Sequence, residues 1–348
     1  MIGSRIAHAT AHRPQVVHVV SHGPHCLDGV TAAVAVARYH AGADVHAHFA
    51  NNPEIDDVLR AVPPPAEGGT QDLWITDISW SLPETERHLR ALVASGTRIF
   101  WVDHHRTAIE RLRRGAIDVP FSELVVTDRY AASRLVFEHL RERLGRPGRN
   151  DAAGAAARDE ARAQGFLALE RLVLLADDND RWIHALPGSR ELALTVGAMR
   201  ETEAYRELLA IDADVTYTPV MREAEARVQG ELAATHALAE RTRRERRVGD
   251  VTVIAAWCAG YPSEVGDAWG RRTHNAVLAF YDTKSDGVSF RRSPGSTIDL
   301  SQLAELFGGG GHPAAAGCRI EGMGARDADA LLALVAGAVA RLVPHAPG

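Results

Sequence analysis

Along the first half of the chain, short apolar runs alternate with segments whose apolar residues recur at helical spacing. The runs VVHVVSH (16–22), DVHAHFA (44–50), DLWITDIS (72–79), RIFWVDH (98–104) and ELVVTD (123–128) have the length and the β-branched or aromatic content of strands. Between them, GVTAAVAVARYHAG, PEIDDVLRAV and LPETERHLRALVASG read as helices, the last closing on Gly96, a residue suited to a helix C-terminus. This alternation predicts an α/β fold: a doubly wound, mostly parallel sheet with helices on both faces. Residues 141–165, RERLGRPGRNDAAGAAARDEARAQG, carry few large apolar groups and predict a mobile insertion or an exposed helix. Helical segments continue through FLALERLVLLADDNDRW to a long polar helix near 219–245, after which VTVIAAW (251–257) opens a new strand-and-helix alternation. The pattern therefore predicts a first domain over 1–218, a linker helix over 219–247 and a second, smaller α/β domain over 248–348, with no internal repeat.

Composition narrows the class. With 348 residues, 46% of them hydrophobic, the chain can bury a sizeable core, and its length favours two domains. No apolar run approaches the roughly 20 residues of a membrane span, and MIGSRIAHATAHRP lacks the apolar centre of a signal peptide, so the cytoplasm is the expected compartment. Cys26, Cys258 and Cys318 lie far apart with no paired spacing, which fits a reducing interior. A net charge of -6 argues against a broad basic face for long nucleic acid, because such binding rests on neutralising phosphates. The basic run RTRRERR (241–247) reads as the end of the long polar helix, where cations suit the helix dipole.

Candidate chemistry sits at predicted strand ends or in the following turns. The clusters are His22, His25, Cys26 and Asp28; Asp77; Asp103, His104 and His105; and Asp177, Asp178 and Asp180. Singly, each has an ordinary explanation, since aspartate after a strand forms turns or caps helices. Parallel strands, however, place their C-terminal ends on one edge, so the groups should converge. Carboxylates gathered there would repel one another unless a cation sat among them, and Asp with His suits divalent metal.

These residues carry a resemblance. WVDHH (101–105) resembles the Asp-His-His signature of the DHH phosphoesterase superfamily, and FGGGGHPAAAG (307–317) resembles the glycine-rich loop of the C-terminal domain found with it in many members. The order of the remaining clusters is similar as well, over roughly residues 16–320 with 141–165 outside, and looks like the oligoribonuclease-like members. The resemblance implies that His22 binds one of two divalent metals and Asp28 the other, that Asp77 bridges them, and that His104 and Asp178 complete the second site, with Asp177 as the alternative to Asp178. It implies further that His105 touches the scissile phosphate or protonates the leaving oxygen. Asp103 would orient a histidine, as metal-bound imidazoles usually require.

One position departs from the family. The first motif normally has aspartate where Cys26 stands. Either Cys26 ligates as a thiolate, or His25 takes over, or the first site is weak or empty. Manganese is the metal the family implies, while Cys26 admits zinc or iron. In the second domain, Gly308, Gly309, Gly310 and Gly311 could present backbone N–H groups as an anion-binding nest, with His312 and Pro313 fixing one end. Arg291 looks like the family's basic substrate contact, with Arg292 beside it, and a cleft between domains would hold the substrate. Trp182 reads as a buried core residue rather than a base-stacking one.

The expected function is hydrolysis of a phosphodiester in a short oligoribonucleotide or cyclic (di)nucleotide. The alternatives are polyphosphate or 3′-phosphoadenosine phosphate cleavage and, in another class, a non-catalytic nucleotide sensor that lost its first metal through Cys26. The expected partners are a short phosphorylated substrate and a second copy of the chain, with neither long duplex nucleic acid nor membrane.

Overall fold

The computed structural model describes residues 14–144, 153–200 and 202–343, and the chain divides into two compact units, Met1–Glu225 and Ala226–Gly348. Most of the stretch at 1–14 and part of the 141–165 segment lie outside the described residues.

The first unit is built on β1 (Val16–His22), β2 (Asp44–Ala50), β3 (Gln71–Thr76), β4 (Arg98–Asp103) and β5 (Glu123–Val126), all close to the apolar runs that predict them. They form one sheet in the order β2-β1-β3-β4-β5, every neighbouring pair parallel. Successive strands are joined by α1 (Leu27–Tyr39), α2 (Ile55–Arg60), α3 (Pro83–Ala94) and α4 (Arg106–Arg113). The winding leaves β1 for β2 and returns on the other side through β3. A sheet that reverses in this way opens a crevice outside the carboxyl ends of the two strands at the reversal, here β1 and β3.

Both faces of the sheet are apolar because both are covered. Val17, Val19, Trp74 and Phe100 join one core with α1, α5 (Ala132–Leu144), α6 (Ala153–Leu167), α7 (Glu170–Asp180), α8 (Ser189–Ala198) and α9 (Glu203–Leu209). Val20, Leu73, Ile75 and Trp101 pack on the opposite side against Leu59, Leu89 and Ala108 of α2, α3 and α4. Helix α1 is buried from Leu27 to Ala37, which explains its alanine content: α5, α7 and α9 all pack around it, and small side chains let them approach. Helix α3 ends as expected, with Gly96 at φ 97° donating its N–H to Val93 O at 3.0 Å.

The described part of the 141–165 segment is helical, with Glu160, Ala161 and Gln164 exposed on α6; just beyond it Phe166 is buried in the core, and Arg38 donates to Gly165 O at 3.1 Å. One expectation needs correcting. The long helix, α10 (Pro219–Thr242), does not reach 247. Arg244–Val248 is instead strand β6, paired antiparallel with β7 (Val251–Cys258) across a two-residue turn in which Gly249 has φ 61°. A Gly-Asp dipeptide is a hairpin signal, and the apolar edge of β7 takes the partner it offers.

The second unit adds β8 (Ala276–Asp282), β9 (Gly287–Arg292), β10 (Gly310–His312) and β11 (Ala315–Cys318), in the order β10-β11-β9-β8-β7-β6. Only β7 and β8 are parallel, so this sheet is mixed. One face packs on α12 (Leu300–Glu305) and α13 (Ala328–Leu342), while Trp269 of α11 (Pro262–Gly270) lies under the other. Among the described residues no helix is long and apolar enough to cross a membrane.

Candidate metal centre

Strand β1 delivers His22 to the crevice and α1 begins five residues later. A Cβ on Gly29 would lie 2.1 Å from His22 O and 3.1 Å from Asp77 Oδ2, so only glycine lets the first turn of α1 lie against the end of β1. Asp28, 1% exposed, accepts from the N–H groups of Ala132 (2.8 Å) and Ser133 (2.9 Å) at the start of α5. Asp77 follows β3 in a left-handed conformation, φ 59°, which aspartate tolerates better than most residues, and its N–H donates to Val102 O at 3.0 Å.

Asp77 is the hub. Its Oδ2 lies 3.5 Å from His22 Nδ1 and 3.6 Å from Cys26 Sγ, and its Oδ1 lies 3.2 Å from His104 Nε2 and 3.9 Å from His105 Nδ1. His104 Nε2 also faces Asp180 Oδ2 at 3.5 Å and Asp28 Oδ2 at 3.9 Å. Asp103 stands behind, accepting from the backbone N–H of His105 (3.0 Å) and bonded to its Nδ1 at 2.7 Å.

The charges are mutually strained. Burial, followed by the nearby Asp77 and Asp180 carboxylates, pushes the Asp28 carboxyl well up, and burial with Asp77 and Asp28 does the same to the Cys26 thiol. Asp180 is raised as well, by burial and by Asp77 against the pull of His104. Burial would raise Asp77 too, but the His104, His22 and His105 rings that face its carboxylate hold it at about 2. Burial would lower His104, yet Asp77 with Asp28 and Asp180 brings it to about 9. Asp103, bonded to His105, raises that ring against its burial.

These residues fit divalent cations. His104 Nε2 is buried without a hydrogen-bond partner, although three carboxylates surround it, and a cation would relieve both conditions. Among the described residues, three groups have ligand atoms within 4.8 Å of one another: His22, Cys26 and Asp77; Asp77, His104 and His105; and Asp28, His104 and Asp180.

The structure thus brings together His22, Cys26, Asp28, Asp77, His104 and His105, and leaves out His25, which is exposed and in none of the groups. Asp178 is corrected as well. Its carboxylate accepts from Ala185 N (3.0 Å), Leu186 N (3.2 Å) and the Ser189 hydroxyl, and it is Asp180 that faces His104. Asp177 instead accepts from Ala131 N and Arg134, each at 2.8 Å. Helix α7 ends at Asp180, and on a helix Asp177 and Asp180, three apart, share a side, so spacing alone does not tell the residue facing His104 from the one that holds Ala131 and Arg134. Trp182 is 52% exposed rather than buried in a core.

In the second unit, two of the four glycines spend their N–H groups within the chain. Gly308, at φ 73°, donates to Glu305 O and Gly309 to Ala304 O, which closes α12 with its own carbonyls, while Gly310 and Gly311 enter β10 with exposed His312. Arg291 donates to Ser263 Oγ at 2.6 Å and to Phe290 O at 2.8 Å, and Arg292 reaches Ile298 O at 3.4 Å. A Cβ on Gly266 of α11 would stand 2.7 Å from Arg291 Cγ, so this glycine makes room for the arginine stem.

Residues 258–341 match the DHHA1 domain family. Over 326 residues, 87% of this chain and 72% of the relative, the sequence is 25% identical to oligoribonuclease NrnB of Bacillus subtilis (strain 168). In fold the chain is similar to the pGpG-specific phosphodiesterase PggH from Vibrio cholerae, with a TM-score of 0.54 and 14% identity over 93% of this chain and 99% of that one. It is similar also to RecJ in complex with Mn2+ from Thermus thermophilus, with a TM-score of 0.52 and 18% identity over 94% of this chain and 52% of that one. The DHHA1 match covers only the C-terminal part, and the Asp-His-His cluster lies in the other unit, so two separate stretches of sequence point to one lineage. Residues 258–341 are thus a DHHA1 domain, and the chain as a whole is similar in sequence to an oligoribonuclease and in fold to members of the DHH phosphoesterase superfamily.

Proposed function

We propose that this protein is a metal-dependent phosphodiesterase that cleaves short oligoribonucleotides or cyclic dinucleotides. The observation that carries the proposal is the placement of Asp77, whose two carboxylate oxygens each face a different set of donors at the sheet reversal. His22, Cys26 and Asp77 would hold one cation, and Asp28, Asp77, His104 and Asp180 a second. Divalent cations in such a pair supply Lewis-acid charge for the phosphoryl oxygens and acidify water near neutral pH. The family favours manganese, and the Cys26 sulfur shifts the first group towards zinc or iron.

The chain's own residues do the rest. Asp103 fixes the His105 ring through Nδ1 and favours its protonated form, the form that can hand a proton to a departing oxygen. Arg291 is partly buried, and among the described residues no carboxylate pairs with it, so an anionic substrate group would complete its environment. The likeness to an oligoribonuclease and to a pGpG-specific phosphodiesterase supports a short phosphodiester as substrate.

The test is product chromatography with short oligoribonucleotides, cyclic dinucleotides, 3′-phosphoadenosine phosphate and polyphosphate under Mn, Co, Zn and Fe in turn. Cleavage of the oligoribonucleotide or cyclic dinucleotide is expected, falling by about three orders of magnitude or more in Asp77→Asn and His104→Ala. Tight nucleotide binding with no turnover under any of the four metals would establish the sensor instead.

A further inference from the structure

We propose that Trp182 is the platform on which a nucleobase of the substrate stacks; the inference rests on the phosphodiesterase reading and narrows it to base-bearing substrates. Four of the other tryptophans, Trp74, Trp80, Trp101 and Trp269, are at most 1% exposed, whereas Trp182 is 52% exposed and is followed by Ile183 at 50%. An indole left in water beside a second apolar side chain calls for an occupant. Its position says which one. Asp180, which faces His104, is only two residues back, and two residues of chain span at most about 7 Å. A phosphodiester held at the centre carries its bases one sugar away from the phosphorus, on that scale.

The segment is built to hold the ring there. Trp182 and His184 have φ of 55° and 50°, conformations that bulky residues avoid, and such backbone persists only where the surroundings enforce it. The enforcement comes from Asp178. Its carbonyl accepts from Ile183 N at 2.9 Å, and its carboxylate gathers Ala185 N, Leu186 N and the Ser189 hydroxyl. Trp182 N donates to Asn179 O at 2.9 Å, and the His184 ring stands 4.4 Å from the indole, tilted by 51°, as a support on one side. The carboxylate missing from the metal groups is therefore the anchor of the platform. Stacking is indifferent to base identity, because every base has a π face, so the platform selects bases over bare phosphate chains without choosing among them.

Two measurements test this separately from the phosphodiesterase reading. In EDTA, GMP is expected to quench the tryptophan emission of the wild type and not that of Trp182→Phe; an emission that GMP leaves unchanged in the wild type overturns the proposal, whether or not the protein hydrolyses anything. With metal, the wild type is expected to prefer a diribonucleotide over its abasic analogue by about five- to a hundredfold in kcat/KM, mainly through KM. Trp182→Ala is expected to erase that preference and Trp182→Phe to restore most of it. Equal preference in wild type and Trp182→Ala overturns it too. So does an indole already shielded from acrylamide without nucleotide, which would mean that a second copy of the chain covers it.

Discussion

A methyl group at position 29 has nowhere to go, because the His22 carbonyl oxygen would be 2.1 Å away. Gly29→Ala is therefore expected to lower stability by about 2–4 kcal/mol and to weaken metal binding at His22 and Asp77, read by chemical denaturation and by metal titration. His18 shows a different residue-scale effect. Burial, then the neighbouring His48 and His46 rings, lower its pKa to about 4 against the opposing pull of Asp44. The unfolded chain takes up a proton near 6.5, so between about 6.5 and 4 it binds more protons than the native state and stability falls as pH falls. Above that window the contribution is fully present, and His18→Gln is expected to flatten the denaturation profile across it. Most of the site is legible in the sequence because His22, Cys26, Asp28, Asp77 and His104 lie at or just beyond strand ends that apolar runs announce. Asp180 is not, because it is one of three nearby aspartates, and Asp177, on the same side of the helix, is spent on Ala131 and Arg134 instead.

Elements in this chain are tied together by carboxylates that cap a neighbour. Asp56 of α2 accepts from Ser81 N at 3.1 Å, Leu82 N at 3.0 Å and the Ser81 and Thr85 hydroxyls, and so caps α3 from outside it. Burial alone would raise the Asp56 carboxyl, but these bonds outweigh it and hold the pKa below the usual value. Its stabilisation is thus present above the ordinary carboxylate range, near pH 4, and is lost as pH falls through the lowered value. Asp56→Ala is expected to cost about 1–2 kcal/mol at neutral pH in urea denaturation, and the difference from wild type should shrink in acid. Arg244–Val248 is a segment that the local pattern misreads: composition suggests a helix end, whereas pairing with β7 decides the backbone. Strand partners and helix caps are set by neighbours that a local pattern does not contain.

At the scale of the molecule, each unit has its own sheet and its own apolar cores, which is why the overall class can be foreseen from alternation alone. The candidate metal centre lies wholly in the first unit and draws on residues from 22 to 180, so its side chains meet only when that unit is assembled. Asp28 adds a mechanical link, since the carboxylate that faces His104 also receives the first amides of α5. Charge arriving at the centre must therefore be felt at the root of a helix more than a hundred residues further along the chain. The Ala132 and Ser133 amides become a remote gauge of loading: their deuterium uptake should slow when Mn2+ is added, and Asp28→Asn should uncouple the gauge from the ion.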